Sequence, residues 1–186
     1  MAAYLKNRGL LIAVATLSLL IGAVASAQVP DPSPTALAGA DARTAMDLAN
    51  AWKGEALTSF VTPAAVRFAF PDGANIEVPL PESEMVVSVA PYVVNTHPCQ
   101  THYMSSCQGE LVGVPMRVLV AHADGTVVMD EVRETQANGF IDLWLPRGEA
   151  LLITFEVDGF SATGIVTTFD DSPTCITTLR LARSGS

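Results

Sequence analysis

The chain has 186 residues, 49% of them hydrophobic and 16% charged, and a formal net charge of −9. That acidic balance argues against nucleic acid or an anionic membrane as partner and suits cationic ligands. The chain is long enough to bury a core without disulfides, and three cysteines leave at least one thiol without a partner: one structural disulfide plus one buried, inert cysteine competes with metal or redox chemistry.

Lys6 and Arg8, the apolar run Leu10 to Val24 and the small residues Ala25-Ser26-Ala27 read as an export signal over residues 1–27, cleaved before Gln28. Its removal takes the charge to −11, because it carries two cations and no anion. The apolar run is short for a spanning helix and no other stretch is long enough to be one. A mature protein in the periplasm or another extracytoplasmic space, with no membrane attachment, is expected. What remains is long enough for one domain with an appendage.

Pro30, Pro32 and Pro34 mark an extended, disordered leader. Leu37, Leu48, Trp52, Leu57 and Phe60 give a loosely helical apolar pattern, predicting one helix from about Asp41, its N-cap, to Ser59, with a break near Gly54 as the alternative. Residues 28–62 thus form a leader and helical segment whose apolar stripe must dock on the rest of the chain or on a second copy in a homodimer. Residues 63–186 read as β. Val66, Phe68 and Phe70 alternate with Arg67 and Ala69, Pro71-Asp72-Gly73-Ala74 is a turn, and Asn75 to Leu80 and Met85 to Val94 follow as strands. Leu111 to Val120 resumes strand character. Asp124-Gly125 joins Met116–His122 to Thr126–Val132 as a hairpin, and Asn138-Gly139, Pro146-Arg147-Gly148 and Asp158-Gly159 separate further short strands. Cys175 to Leu181 is the last. The fold class is therefore mainly β with an N-terminal helical segment, a small antiparallel β-sandwich of immunoglobulin-like or prealbumin-like character.

Between the third strand and Leu111 lies His97-Pro98-Cys99-Gln100-Thr101-His102-Tyr103-Met104-Ser105-Ser106-Cys107-Gln108-Gly109-Glu110. Thiolate, imidazole and thioether are donors that favour Cu(I) or zinc over hard cations. Pro98, Ser105-Ser106 and Gln108-Gly109 read as loop, and a polar loop is a poor place for a hydrophobic core. Cys175 opens the final strand after an Asp-Asp-Ser-Pro turn, at the rim of a sandwich. If the loop shares that rim, three sulfurs converge, an arrangement that suits Cu(I); zinc usually recruits a fourth donor such as His97. The candidate ligands are Cys99, Cys107, Cys175, His97 and His102. Met104 reads as packing and His122 as a surface residue. Two other classes compete: a thiol oxidoreductase, although C-x-x-C is missing, and a disulfide-stabilised sandwich acting as an interaction module. No nucleophile elbow or phosphate loop is present.

The stretch His97 to Leu111, Asn138-Gly139-Phe140, Leu143-Trp144-Leu145-Pro146-Arg147-Gly148 and Asp171-Ser172-Pro173-Thr174-Cys175-Ile176-Thr177-Thr178 resemble the CueP family of periplasmic copper-binding proteins, from roughly Val89 to the C-terminus. The resemblance implies a role in copper resistance and supply, with copper held by Cys99, Cys107 and Cys175 and the histidines carried over less firmly. It also implies delivery to a secreted Cu,Zn superoxide dismutase, reduction of Cu(II) by the thiols, and a helical N-terminal part involved in dimer formation. Closure of one Cys99–Cys107 disulfide supplies two electrons, so a stoichiometric event and not an enzyme is expected.

Overall fold

A computed structural model describes residues 29–184; the expected export signal lies outside them. The proline leader is partly ordered, contrary to expectation. Ser33 caps a 3-10 turn, Pro34–Leu37, by accepting from the Ala36 N–H, and Leu37 is buried. The Pro30 carbonyl accepts the Trp52 indole N–H at 2.8 Å. Helix α1 (Ala42–Ala51) begins as expected, Asp41 accepting from the Thr44 N–H at 2.8 Å. It stops at Ala51 instead of running to Ser59. Gly54 turns the chain at φ +89°, and Thr58–Val61 leaves helix for strand β1. Phe60 and Val61 are aromatic and β-branched, and pairing with a neighbouring strand outweighs the loose helical spacing there.

Three sheets follow. β1 pairs antiparallel with β2 (Ala65–Ala69), and β2 with β3 (Asn75–Pro79). β4 (Glu84–Val89) lies between β7 (Ile141–Pro146) and the two-residue β10 (Cys175–Ile176). The largest sheet runs β11 (Ala182–Arg183), β9 (Phe160–Thr167), β8 (Ala150–Val157), β5 (Pro115–Ala121), β6 (Val127–Glu134). The strands pair antiparallel except β10, which runs parallel to β4, a course that the parallel Tyr92–Arg180 bridge continues. The expected terminal strand is shorter than its sequence pattern: only Cys175 and Ile176 sit in the ladder. The extended chain nevertheless continues beside Tyr92, which bridges Arg180, so Cys175, Thr177, Leu179 and Leu181 stay buried in alternation.

Alternation also sorts the layers. Val118 and Val120 on β5 and Ile153 and Phe155 on β8 point inward, and they join Met85, Val87, Leu143 and Leu145 in one continuous core. The opposite face of the β4–β7 pair carries Glu84, Ser88, Asp142 and Trp144, and α1 covers it. Arg43 reaches Glu84 at 2.6 Å and lies 4.4 Å over the Trp144 ring, while the Asn50 amide donates to Asp142 at 2.9 Å. β4 is buried on both faces because it is the middle layer, which explains its unbroken Met-Val-Val-Ser-Val run. The helix's own stripe, Ala42, Ala45, Met46 and Ala49, together with Trp52, is buried in the same chain. It needs no second copy for cover.

Candidate metal centre

Cys175 pairs in register with Ser88, so it emerges on the helix-covered face of the middle sheet. Ala90 and Phe140 extend that face past the end of α1. There Ala90, Phe140, Cys107 and Cys175 form a second buried cluster, with Cys99 packed against it. Sequence position thus fixes where the thiols meet: just beyond the helix C-terminus, on the sheet face that α1 leaves uncovered.

The loop reaches that point by borrowing backbone partners. The Val61 N–H donates to the His102 carbonyl at 2.9 Å, adding His102 to the edge of β1. Thr174 stitches three segments: its hydroxyl accepts from the His102 N–H at 3.1 Å and donates to the Val61 carbonyl at 2.7 Å. The N–H groups of Thr174 and Cys175 both donate to the Gln100 carbonyl. Farther out, the Thr177 hydroxyl donates to the His97 carbonyl at 2.6 Å and Thr96 to the Thr177 carbonyl at 2.5 Å. At the loop's exit, Gly109 and Gly139 cross at backbone contact. A Cβ on Gly109 would lie 2.5 Å from the Gly139 carbonyl oxygen, and Gly139 itself holds φ +76°. Only glycine fits at either position.

The donors assemble as two overlapping groups. His97, Cys99 and Cys107 form one and His102, Cys107 and Cys175 the other, the ligand atoms of each lying within 4.8 Å of one another. The Cys99 and Cys107 sulfurs are 3.7 Å apart, and Cys175 Sγ is 3.9 Å from His102 Nδ1. All three cysteines are free. His102 is fully buried and tilts 4.3 Å from the Phe140 ring; His97 meets the edge of the same ring at 6.5 Å. His102 Nε2 has no hydrogen-bond partner.

Electrostatics single out Cys107. A hydrogen bond from the Cys175 thiol, helped by His102 and by the Tyr103 N–H at 3.4 Å, lowers its pKa to about 3 despite burial. Donation to that thiolate, together with burial, pushes Cys175 far up, and burial raises Cys99 as well. The cluster therefore holds one thiolate flanked by two thiols, ready to accept a cation with the release of their protons. Lys53, just past α1, donates its ammonium to the Cys107 carbonyl. Burial lowers its pKa while the Cys107 charge opposes that shift.

All five candidate ligands gather in this region. The expectation that a polar loop stays outside the core does not hold for its second half: His102 and Met104 are wholly buried and Cys107 nearly so. Met104 lies in the main core, as packing, and His122 stands apart, 3.7 Å from Glu149. Sequence reasoning missed Lys53 and gave no role to Phe140, Thr174 and Thr177, although these three stand in the stretches that carry the family resemblance. The alternation placing Thr177 and Cys175 on one buried face was a usable signal for Thr177; nothing local marks Lys53.

A β-sandwich backed by one helix, with three thiols and two imidazoles converging at one rim, is a protein equipped to hold a soft metal ion. Residues 43–180 match the family model described as periplasmic copper-binding protein CueP, and the chain belongs to that family. The crystal structure of S.CueP is similar with a TM-score of 0.74 and 30% identity, over 80% of this chain and 92% of that one. No curated protein matches the chain significantly.

Proposed function

We propose that the protein holds Cu(I) through Cys99, Cys107 and Cys175, with His97 and His102 as auxiliary donors, and serves copper resistance and copper supply outside the cytoplasm. A secreted Cu,Zn superoxide dismutase is the proposed recipient. The observation that carries this reading is the position of the Cys107 sulfur, common to both donor groups and 3.7 Å from that of Cys99, with Cys175 in the same cluster. Soft thiolates at this density favour Cu(I) over harder ions. Three titratable thiols in anaerobically purified protein, at least two of them protected by one equivalent of Cu(I), are expected. A permanent Cys99–Cys107 disulfide that resists mild reductant would instead favour the structural sandwich.

The same pair supports stoichiometric reduction of incoming copper. The Cys99 and Cys107 sulfurs, 3.7 Å apart, need little movement to close a disulfide. Closure releases two electrons, which convert two Cu(II) to two Cu(I), and any thiol proton goes to solvent. Excess Cu(II) added to reduced protein should yield Cu(I) and consume two thiols per chain, without further turnover. Undiminished Cu(I) formation by the C99S/C107S double variant would end this part of the proposal.

A further inference from the structure

We propose that the three thiols hold Cu(I) in turn and not all at once: the ion is stored in the inner donor group, His102, Cys107 and Cys175, and leaves or arrives through the outer group, His97, Cys99 and Cys107, with Cys107 bound throughout. This rests on the copper reading above and specifies the route by which that site exchanges its cargo.

The two groups share one corner and differ in access. Every inner donor is buried, Cys175 being 1% and His102 0% exposed, and Phe140 packs against both imidazoles, its ring centre 4.3 Å from that of His102 and 6.5 Å from that of His97. His97 and Cys99 are only half-buried. His97 also lines an open cleft of about 270 Å³ together with Asn95, Thr96, Gln108, Gly109 and Glu110. The cleft is a built feature. The Glu110 carboxylate accepts the Val93, Val94 and Asn95 N–H groups and so fixes the chain leading to His97, while Thr177 fixes the His97 carbonyl.

Cu(I) exchanges ligands readily when a new donor binds before an old one departs. With Cys107 as pivot, Cys99 replaces Cys175 and His97 replaces His102, so the ion is never left with a single donor. Cys99 surrenders its proton to solvent as its sulfur binds and Cys175 regains one; the oxidation state does not change. At the outer group the ion faces the cleft, where a recipient presenting its own thiolate or imidazole can take it. An ion in the inner group is walled off from that recipient. Storage and release are thus separated by ligand swaps inside one small cluster.

The test loads reduced protein with one equivalent of Cu(I) and follows transfer to bicinchoninate by stopped flow, alongside equilibrium competition with the same chelator. His97→Ala is expected to slow transfer about tenfold or more with a smaller change in affinity. Cys175→Ser should do the reverse, weakening affinity about tenfold or more without slowing transfer. His102→Gln is a second inner variant, should Cys175→Ser fold poorly, and His122→Ala is a remote control expected to match wild type. If His97→Ala leaves the transfer rate unchanged, or if outer and inner variants shift rate and affinity in equal proportion, the relay is overturned and copper binding stands. A wild-type chain that cannot hold Cu(I) against the chelator overturns the copper reading and the relay together.

Discussion

The protein contains two buried clusters built on opposite principles. The main core is apolar, contributed by all three sheets and α1, and its one indole N–H, on Trp52, is met by the Pro30 carbonyl. The second cluster, around Cys107, Cys175 and Phe140, is small and polarisable, and its buried imidazole keeps one nitrogen unpartnered. An unpartnered buried polar atom costs stability. The difference teaches which region pays for folding and which is reserved for a ligand: the first should govern stability with little effect on metal, and the second the converse.

The strongest challenge to that division is a cavity in the main core. Phe155→Ala, at a wholly buried position of β8, should lower unfolding free energy by about 3–5 kcal/mol in denaturant titration, yet leave Cu(I) stoichiometry intact where the protein remains folded. Cys175→Ser should destabilise far less and weaken Cu(I) binding far more. Equal effects of both on both quantities would erase the distinction.

Gly139→Ala tests whether the two clusters are joined through the glycine crossing. With φ at +76° and a Cβ only 2.7 Å from the Gly109 carbonyl oxygen, it should cost about 1–3 kcal/mol. It should also displace Gln108-Gly109 and so weaken metal binding as well as stability. A stable variant with normal metal retention would mean that the loop is anchored elsewhere.

Much of this division was legible in the sequence. The alternating strands of the large sheet and the Asp124-Gly125 hairpin were readable because each repeats a local period or turn signal. The five soft donors were readable because their residue types are unusual together in a loop. The end of α1 was legible only in part: Gly54 marked a break, but Leu57 and Phe60 sit at spacings compatible with a helix, and only pairing with β2 draws Thr58–Val61 into a strand. Nor could spacing reveal that Lys53 returns to the Cys107 carbonyl, a contact set by helix docking on Asp142 and Trp144. The loop's buried half was hidden for a similar reason, since Thr174 and Val61, both distant in sequence, supply the partners that allow its polar backbone inside.

A finer test concerns charge at the second cluster. Thiolates binding Cu(I) leave net negative charge, and the Lys53 ammonium beside the Cys107 carbonyl offsets it. Lys53→Met should weaken Cu(I) retention about tenfold, and Lys53→Arg should restore most of it. Chelator competition in low and high salt checks this, since the wild-type advantage should shrink as salt screens it.

The smallest effect should come from Glu110. Burial opposes its ionisation, but the Val94, Val93 and Asn95 N–H groups outweigh that and bring its pKa below the ordinary 4.5. A carboxyl whose folded pKa is depressed stabilises the fold above its unfolded pKa, and that contribution is lost as pH falls through the folded value. Wild type should therefore lose stability below about pH 4.5 through this group, whereas Glu110→Gln should start less stable at pH 7 and show a shallower acid decline. Parallel declines would separate Glu110 from the anchoring of the His97 segment.

The central claim is that a thiolate cluster centred on Cys107 selects Cu(I). Competitive titration of the reduced protein and its Cys107→Ser variant, with a Cu(I) chelator and with a Zn(II) chelator, tests it most directly. One Cu(I) per chain, bound far more tightly than Zn(II), is expected, with a variant whose Cu(I) affinity falls by about a hundredfold or more. Zinc retention equal to or better than copper, or a Cys107→Ser variant that holds Cu(I) like wild type, would contradict it.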